Sequence, residues 1–265
     1  MLLNYNTTTV IVLTLWAIGI LFFYLPSFFK QQKVVANSIL IVGILFLLSY
    51  IIQLWLYLER APMRTLGETR LWYSFFLSII GVAIYFKWKL KFMPLFSIAL
   101  ATLFILINYN NPEYFEKTLM PALQSYWFVP HVIVYIFAYS LFGITALMAC
   151  KGLFLVHKKK FTMDDLNITD DIVYVAFAFL TFGLLFGALW AKEAWGHYWT
   201  WDPKETWSFI TWLFYLIYLH YRYFYRFSIK TPLYILALAF VILLICWFGV
   251  NYLPSAQSSV HVYGN

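Results

Sequence analysis

The chain of 265 residues is 63% hydrophobic and 11% charged, with a mean hydropathy of +0.77, which excludes an ordinary soluble domain and describes a polytopic membrane protein. Its formal charge of +7 marks no nucleic-acid partner, because the basic residues sit in short segments between apolar runs, where they set topology. The two cysteines, Cys150 and Cys246, lie in separate apolar segments and read as small buried hydrophobes rather than as a redox or metal pair.

Apolar runs able to cross roughly 30 Å of hydrocarbon occur in order near residues 8–29, 34–58, 70–86, 92–108, 131–156, 171–191, 206–225 and 232–250. Thr8–Phe29 has no basic flank and no small-residue cleavage pattern before it, so it reads as a retained span rather than a removed leader. The expected fold is an all-α integral membrane protein of about eight transmembrane helices with an external tryptophan-rich loop. No repeat or low-complexity linker divides it, so residues 1–265 read as a single polytopic domain.

Sorting basic residues by alternate connections places Lys30, Lys33, Lys87, Lys89, Lys91, Lys151, Lys158, Lys159, Lys160, Arg222, Arg226 and Lys230 on one side. Arg60, Arg64, Arg70, Lys117, Lys192 and Lys204 fall on the other. The richer set belongs in the cytoplasm, which puts both termini and the connection after residue 191 outside. Lys158–Asp171, with its basic run followed by acids, reads as the longest inner loop.

That outer connection holds the densest mixture of aromatics and charges in the chain, Trp195-Gly196-His197-Tyr198-Trp199-Thr200-Trp201-Asp202-Pro203-Lys204-Glu205-Thr206-Trp207. Tryptophans so closely spaced suit a wall against a flat conjugated ligand. Asp202 is a good N-cap, Pro203 suits the first helical position and Glu205 the third, so a capping box opens a helix that runs through Thr206–Tyr225.

Five histidines are candidate ligands. His131 opens the fifth helix at the outer face and His261 lies beyond the eighth, also outside, so the two can meet above the tryptophan loop as axial ligands of a haem iron. Satisfied interfacial histidines are the plainer alternative. His220 lies within an apolar helix, roughly 25 Å along from Pro203. An ionisable group at that depth is a functional candidate, on a stripe with Asp202, Phe209, Leu213 and Leu216; a ring snorkelling to the inner interface is the alternative. His157 reads as interfacial and His197 as a loop residue. A second ligand opposite His220 points to a partner subunit or to His157.

The stretch Trp195–Trp207 resembles the "WWD" signature of haem-handling proteins for cytochrome c maturation, and its Trp-Asp-Pro-Lys-Glu form is similar to the CcsA (ResC) family, related to CcmC and CcmF. Pro130-His131 resembles the family's first external histidine. Tyr218-Leu219-His220-Tyr221-Arg222 resembles its intramembrane histidine, and Asn251-Tyr252-Leu253-Pro254 followed by Val260-His261-Val262-Tyr263 its second external one. Ala61–Glu68 resembles the loop before the early core helices.

The resemblance implies a WWD core over about 131–265 behind N-terminal helices in 1–108. It implies a holocytochrome c synthase subunit that moves haem b across the bilayer and attaches it to the Cys-X-X-Cys-His thiols of apocytochrome c. The implied iron ligands are His131, His261 and His220, with Trp195, Trp199, Trp201, Asp202 and Trp207 binding the ring and no residue assigned to catalysis. A CcsB (ResB)-like membrane subunit is the implied partner, and a bacterial cytoplasmic or thylakoid-type membrane the implied location. Two alternatives stay open: a haem-delivery chaperone of CcmC type that forms no thioether, and a transporter of another small molecule whose aromatics form only an interfacial belt.

Overall fold

The computed structural model describes residues 4–26, 30–111, 121–156, 158 and 160–254. These form eight α-helices in the expected order: α1 (Tyr5–Tyr24), α2 (Gln32–Leu58), α3 (Leu66–Trp88), α4 (Met93–Tyr109), α5 (Phe128–Val156), α6 (Met163–Trp195), α7 (Pro203–Phe224) and α8 (Lys230–Trp247). Short 3₁₀ turns occupy Pro121–Gln124 and Gly249–Tyr252, and no strand occurs among the described residues. The protein is an all-α integral membrane protein: α1, α2, α3, α5, α6 and α8 are long and apolar enough to cross a bilayer. At 17 residues α4 spans about 25 Å, and α7 carries Lys204, Glu205 and Arg222 within its 22 residues.

Several helices outrun their apolar runs because polar residues cap them. Thr65 and Glu68 form a reciprocal capping box that starts α3 at Leu66. Thr162 and Asp165 do the same for α6, which corrects the expectation of a loop over Lys158–Asp171: from Met163 onward the acids stand in the first turns of a helix, where its positive end favours them. Cys246 is buried as expected, whereas Cys150 is exposed on α5, a position a thiol tolerates beside hydrocarbon.

The chain divides into two compact units, Met1–Thr118 and Leu119–Asn265. In the first, α1 packs on α2 and α4, and α3 on α4 and α2, around buried Trp16, Leu47, Leu71, Tyr73 and Ile105. Hydrocarbon supplies no hydrogen bonds, so polar groups are satisfied between helices. Tyr5 Oη donates to Ile105 O at 2.9 Å, Ser74 Oγ to Ala101 O at 3.2 Å and Asn108 Nδ2 to Gly67 O at 2.7 Å. The fully buried Glu68 receives two guanidinium N–H bonds from Arg60 at 2.9 and 2.7 Å.

In the second unit α5 packs on α6 and α8, and α7 on α8 and α6. Phe142 of α5 stacks on Tyr215 of α7 with centroids 3.5 Å apart. At the end remote from the tryptophan loop, Asp170 of α6 accepts Arg222 Nε at 2.9 Å and Nη2 at 2.7 Å and the Tyr218 hydroxyl. Arg222 Nη1 also donates to Arg226 O at 2.8 Å. One guanidinium thus fastens α6, α7 and the start of the connection to α8.

Removing one partner of a buried ion pair strands the other charge. Arg222→Ala is expected to destabilise the protein in detergent by about 3–5 kcal/mol, read from the unfolding midpoint. Adding Asp170→Ala should recover part of that loss; additive losses in the double variant would show that the two residues are not coupled.

Candidate functional site

The tryptophan loop is held at both ends by its own sequence. Gly196, at φ 85°, ends α6 in the left-handed conformation that glycine adopts freely, and its N–H donates to Lys192 O at 3.0 Å. The Lys192 ammonium returns to Gly196 O at 2.8 Å. At the other end the expected capping box is present: Asp202 Oδ1 accepts Lys204 N at 3.0 Å, Pro203 occupies the first turn, and Glu205 Oε2 accepts Asp202 N at 3.2 Å. The same Glu205 oxygen accepts Thr200 N at 2.8 Å, so one carboxylate pins the loop as well as the helix.

Between those bonds Trp201 stands at φ 60°, a left-handed backbone that a bulky L residue rarely adopts and that costs about 1–3 kcal/mol. Its carbonyl is gripped by Thr206 Oγ1 at 3.1 Å, and its side chain is 63% exposed. The strain presents an indole to the surroundings.

The signature tryptophans do not form a single flat wall. Trp199 and Trp201 stand at 88° to each other, 5.7 Å apart, and both meet Phe209 of α7 edge-on. Phe209 stacks on Trp212 at 12°, and Trp212 on Phe177 of α6 at 29°, pinned by Trp212 Nε1–H to Thr181 Oγ1 at 3.0 Å. Trp195 leans instead on Trp190, 4.9 Å away. Trp207 is half-buried on α7, and Asp202 is buried at its cap.

His131 belongs to the Trp190 group. Its ring stacks on Trp190 at 5.4 Å and 28° and meets Tyr135 edge-on at 4.7 Å. Nδ1 lies 2.9 Å from Gly183 O across the α5–α6 interface. A carbonyl oxygen only accepts, so Nδ1 carries the proton and Nε2 the lone pair, the tautomer a metal-binding imidazole needs. Gly187 makes the close approach possible, since a Cβ there would lie 2.7 Å from His131 Cε1.

His220 shows the same arrangement at the other end of α7. Its Nδ1 lies 2.9 Å from Leu216 O, one turn back on its own helix, and the residue is exposed. The fit to a haem iron is therefore sound at both histidines, each with Nδ1 engaged by a backbone carbonyl and Nε2 as the donor atom. His261 and His157 lie outside the described residues, and His197 is an exposed loop residue.

Sequence reasoning did not single out Trp190, Gly183 and Gly187, which set the His131 ring, nor Trp212 and Thr181. The spacing Gly183-Leu184-Leu185-Phe186-Gly187 is the small-residue pattern of close transmembrane packing, and it would have marked the α6 face that receives α5.

Residues 5–256 match the family described as cytochrome C assembly protein. The chain is 32% identical to the cytochrome c biogenesis protein CcsA of Guillardia theta, covering 79% of each chain. It is 31% identical to that of Cuscuta reflexa, covering 80% of this chain and 79% of the relative. Its fold is similar to the solved structure of cytochrome c heme lyase CcmF, with a TM-score of 0.71 and 18% identity over 96% of this chain and 48% of that one; it thus spans about half of that longer protein. With a family match that runs through His131, the capped tryptophan loop and His220, the chain belongs to the cytochrome c assembly protein family.

Proposed function

We propose that the chain matures cytochrome c: it takes haem b as substrate, presents it on the extracytoplasmic side, and attaches it to the Cys-X-X-Cys-His thiols of an apocytochrome c together with a CcsB (ResB)-like membrane subunit. The observation that carries this reading is the pair of imidazoles at the two ends of α7's span, His131 and His220. Each has Nδ1 held 2.9 Å from a backbone carbonyl, the tautomer in which Nε2 would be the ligating nitrogen.

The predominance of lysine and arginine on the opposite side supports an external tryptophan loop with both termini outside, in a bacterial cytoplasmic or thylakoid-type membrane. There His131 and His261 would hold the iron, while Trp195, Trp199, Trp201 and Trp207 orient the ring and Asp202 keeps the loop in place. His220 would be the ligand at the inner site. Its exposure supports a facing ligand contributed by another chain.

Each thioether forms when a thiol S–H adds across a vinyl C=C of the substrate, giving one S–C and one C–H bond and needing no oxidant. The protein's contribution is orientation and ligation. His131, fixed by Gly183 and Trp190, supplies a rigid axis about which the vinyl groups meet the thiols.

The test is an absorption spectrum and a maturation assay on the full chain with its partner. The wild type is expected to show a bis-histidine Soret band, weakened in His131→Ala, with covalent haem on a coexpressed Cys-X-X-Cys-His apocytochrome. A colourless preparation would sink the haem reading, and bound haem without thioethers would point to a CcmC-like chaperone. His220→Ala is expected to lower haem content while leaving the unfolding midpoint unchanged; full loading in that variant would remove His220 from the path.

Trp201 generates a separate expectation. Trp201→Gly and Trp201→Ala both remove the indole and should both retain less haem, but only glycine relieves the left-handed backbone. The glycine variant should be more stable than the alanine variant by about 1 kcal/mol, and equal midpoints would show that φ 60° stores no strain.

A further inference from the structure

Beside His131 the second unit holds a cluster of polar side chains to which neither the capping box nor the iron ligands assign a role. Lys204 is the second residue of α7, and its side chain shares a face with Ser208, Thr211 and Tyr215, at spacings of four, seven and eleven residues. Thr211 and Tyr215 are buried, so the lysine stem runs into the unit.

The ammonium interacts electrostatically with Cys246 and Asp202, yet among the described residues it forms no hydrogen bond or ion pair. The Cys246 thiol of α8 lies beside the hydroxyls of Tyr139 and Thr211, and the Tyr135 hydroxyl beside Ser208. Tyr135 and Tyr139 are in ring contact at 5.4 Å, and Tyr135 meets the His131 ring. A run of contacts therefore connects the proposed iron ligand to the cation.

The composition of the cluster says what it can bind. A half-buried ammonium is costly unless an anion meets it, and hydroxyls and a thiol cannot supply one. Among the described residues Asp202 is the one carboxylate that interacts with Lys204, and it is engaged in the helix cap through the Lys204 backbone N–H. The α7 N-terminus is closed by that cap and by Glu205, so an incoming acid meets the side chain and its hydroxyl neighbours rather than free backbone N–H groups.

We infer that Lys204 is the anion anchor of this site, its ammonium pairing with a carboxylate of the molecule held on His131, with the Tyr135 hydroxyl as auxiliary donor. This rests on the haem reading given above, under which the carboxylate is one of the two propionates. An axial bond alone leaves a porphyrin free to turn about the iron–nitrogen axis, and an ion pair at its rim stops that rotation. Lys204 thereby selects which edge of the ring, and so which vinyl groups, faces the acceptor thiols.

The inference is tested by titrating the full chain, with its partner, with haem and with haem dimethyl ester, in which both propionates are masked, and following the Soret band. Loss of one charge-assisted hydrogen bond corresponds to about ten- to a hundredfold in affinity, so the wild type should prefer the free acid by that factor. Lys204→Met should level the two ligands by weakening haem while leaving the ester unchanged, and Lys204→Gln should do the same. Ester binding also verifies that each variant is folded. Lys204→Arg should keep a preference for the free acid. A wild-type preference that survives in Lys204→Met or Lys204→Gln overturns the assignment. A wild type that binds neither porphyrin overturns the haem reading itself, and this inference with it.

Discussion

The Glu205 carboxylate, by accepting the N–H groups of Thr200 and Asp202, turns an aromatic connection into a fixed structure. Without it two donors lose their acceptor at the mouth of the helix, and the loop keeps only the Thr206 bond to the Trp201 carbonyl and the edge contacts with Phe209. The consequences run in both directions along the chain. Toward the loop, the clamp holds the residues on either side of Trp201, whose backbone is left-handed and whose indole is exposed. Toward the helix, it fixes the rotation of α7, which sends Lys204 inward with Thr211 and Tyr215 and places Phe209 under the loop. A single acid in the third position of a capping box thus sets the positions of groups on opposite sides of one helix.

Hydrocarbon solvent explains why so much of the remaining polarity is paired across helices. Asp170 and Arg222, or Glu68 and Arg60, would be weak surface pairs in water; removed from it, each charge needs its partner, and the bidentate geometry supplies one. The Asp170 cluster also takes up the Tyr218 hydroxyl, so α7 is secured at the end remote from the loop much as Glu205 secures the near end. Between the two anchors one face of α7 is buried at Thr211 and Tyr215, Tyr215 stacking on Phe142 of α5, while Phe209 and Trp212 stack toward α6.

The order of the helices was legible because eight apolar runs separated by charge admit little else in a membrane, and the Asp202–Glu205 cap was legible because its chemistry is local. His220 announced itself as an ionisable group in an apolar run. Helix beginnings were harder to read: acids such as Asp164 and Asp165 interrupt hydropathy yet favour a helix start, so Lys158–Asp171 resembled a loop. Partnerships were harder still. Asp170 finds Arg222 across 52 residues, and Trp190 finds His131 from another helix; neither contact leaves a period in the sequence, because a helix in lipid needs no polar face to show which side is inward. The four signature tryptophans suggested one wall by their number, whereas Trp195 joins Trp190 and Trp199 and Trp201 join Phe209.

The two histidines share a tautomer but not a mechanical setting, and the difference bears on what each can do. His131 is oriented by another helix: Gly183 fixes Nδ1, Gly187 leaves room for the ring, and Trp190 covers its face. Its Nε2 cannot swing without disturbing the α5–α6 interface, so the direction of any bond it accepts would be dictated by the fold. His220 is oriented by the carbonyl one turn back on its own helix and is exposed, so its ring can adapt to whatever faces it at little cost in packing. A step that must align two vinyl groups with two thiols needs the first kind of ligand, since errors in ring angle are multiplied at the rim of the macrocycle. A step that only receives and releases a ligand is better served by the second. The placement of a packed imidazole beside the strained tryptophan loop, and of a yielding one at the far end of α7, is what the proposed route would require: an entrance that tolerates imprecision and an exit that does not.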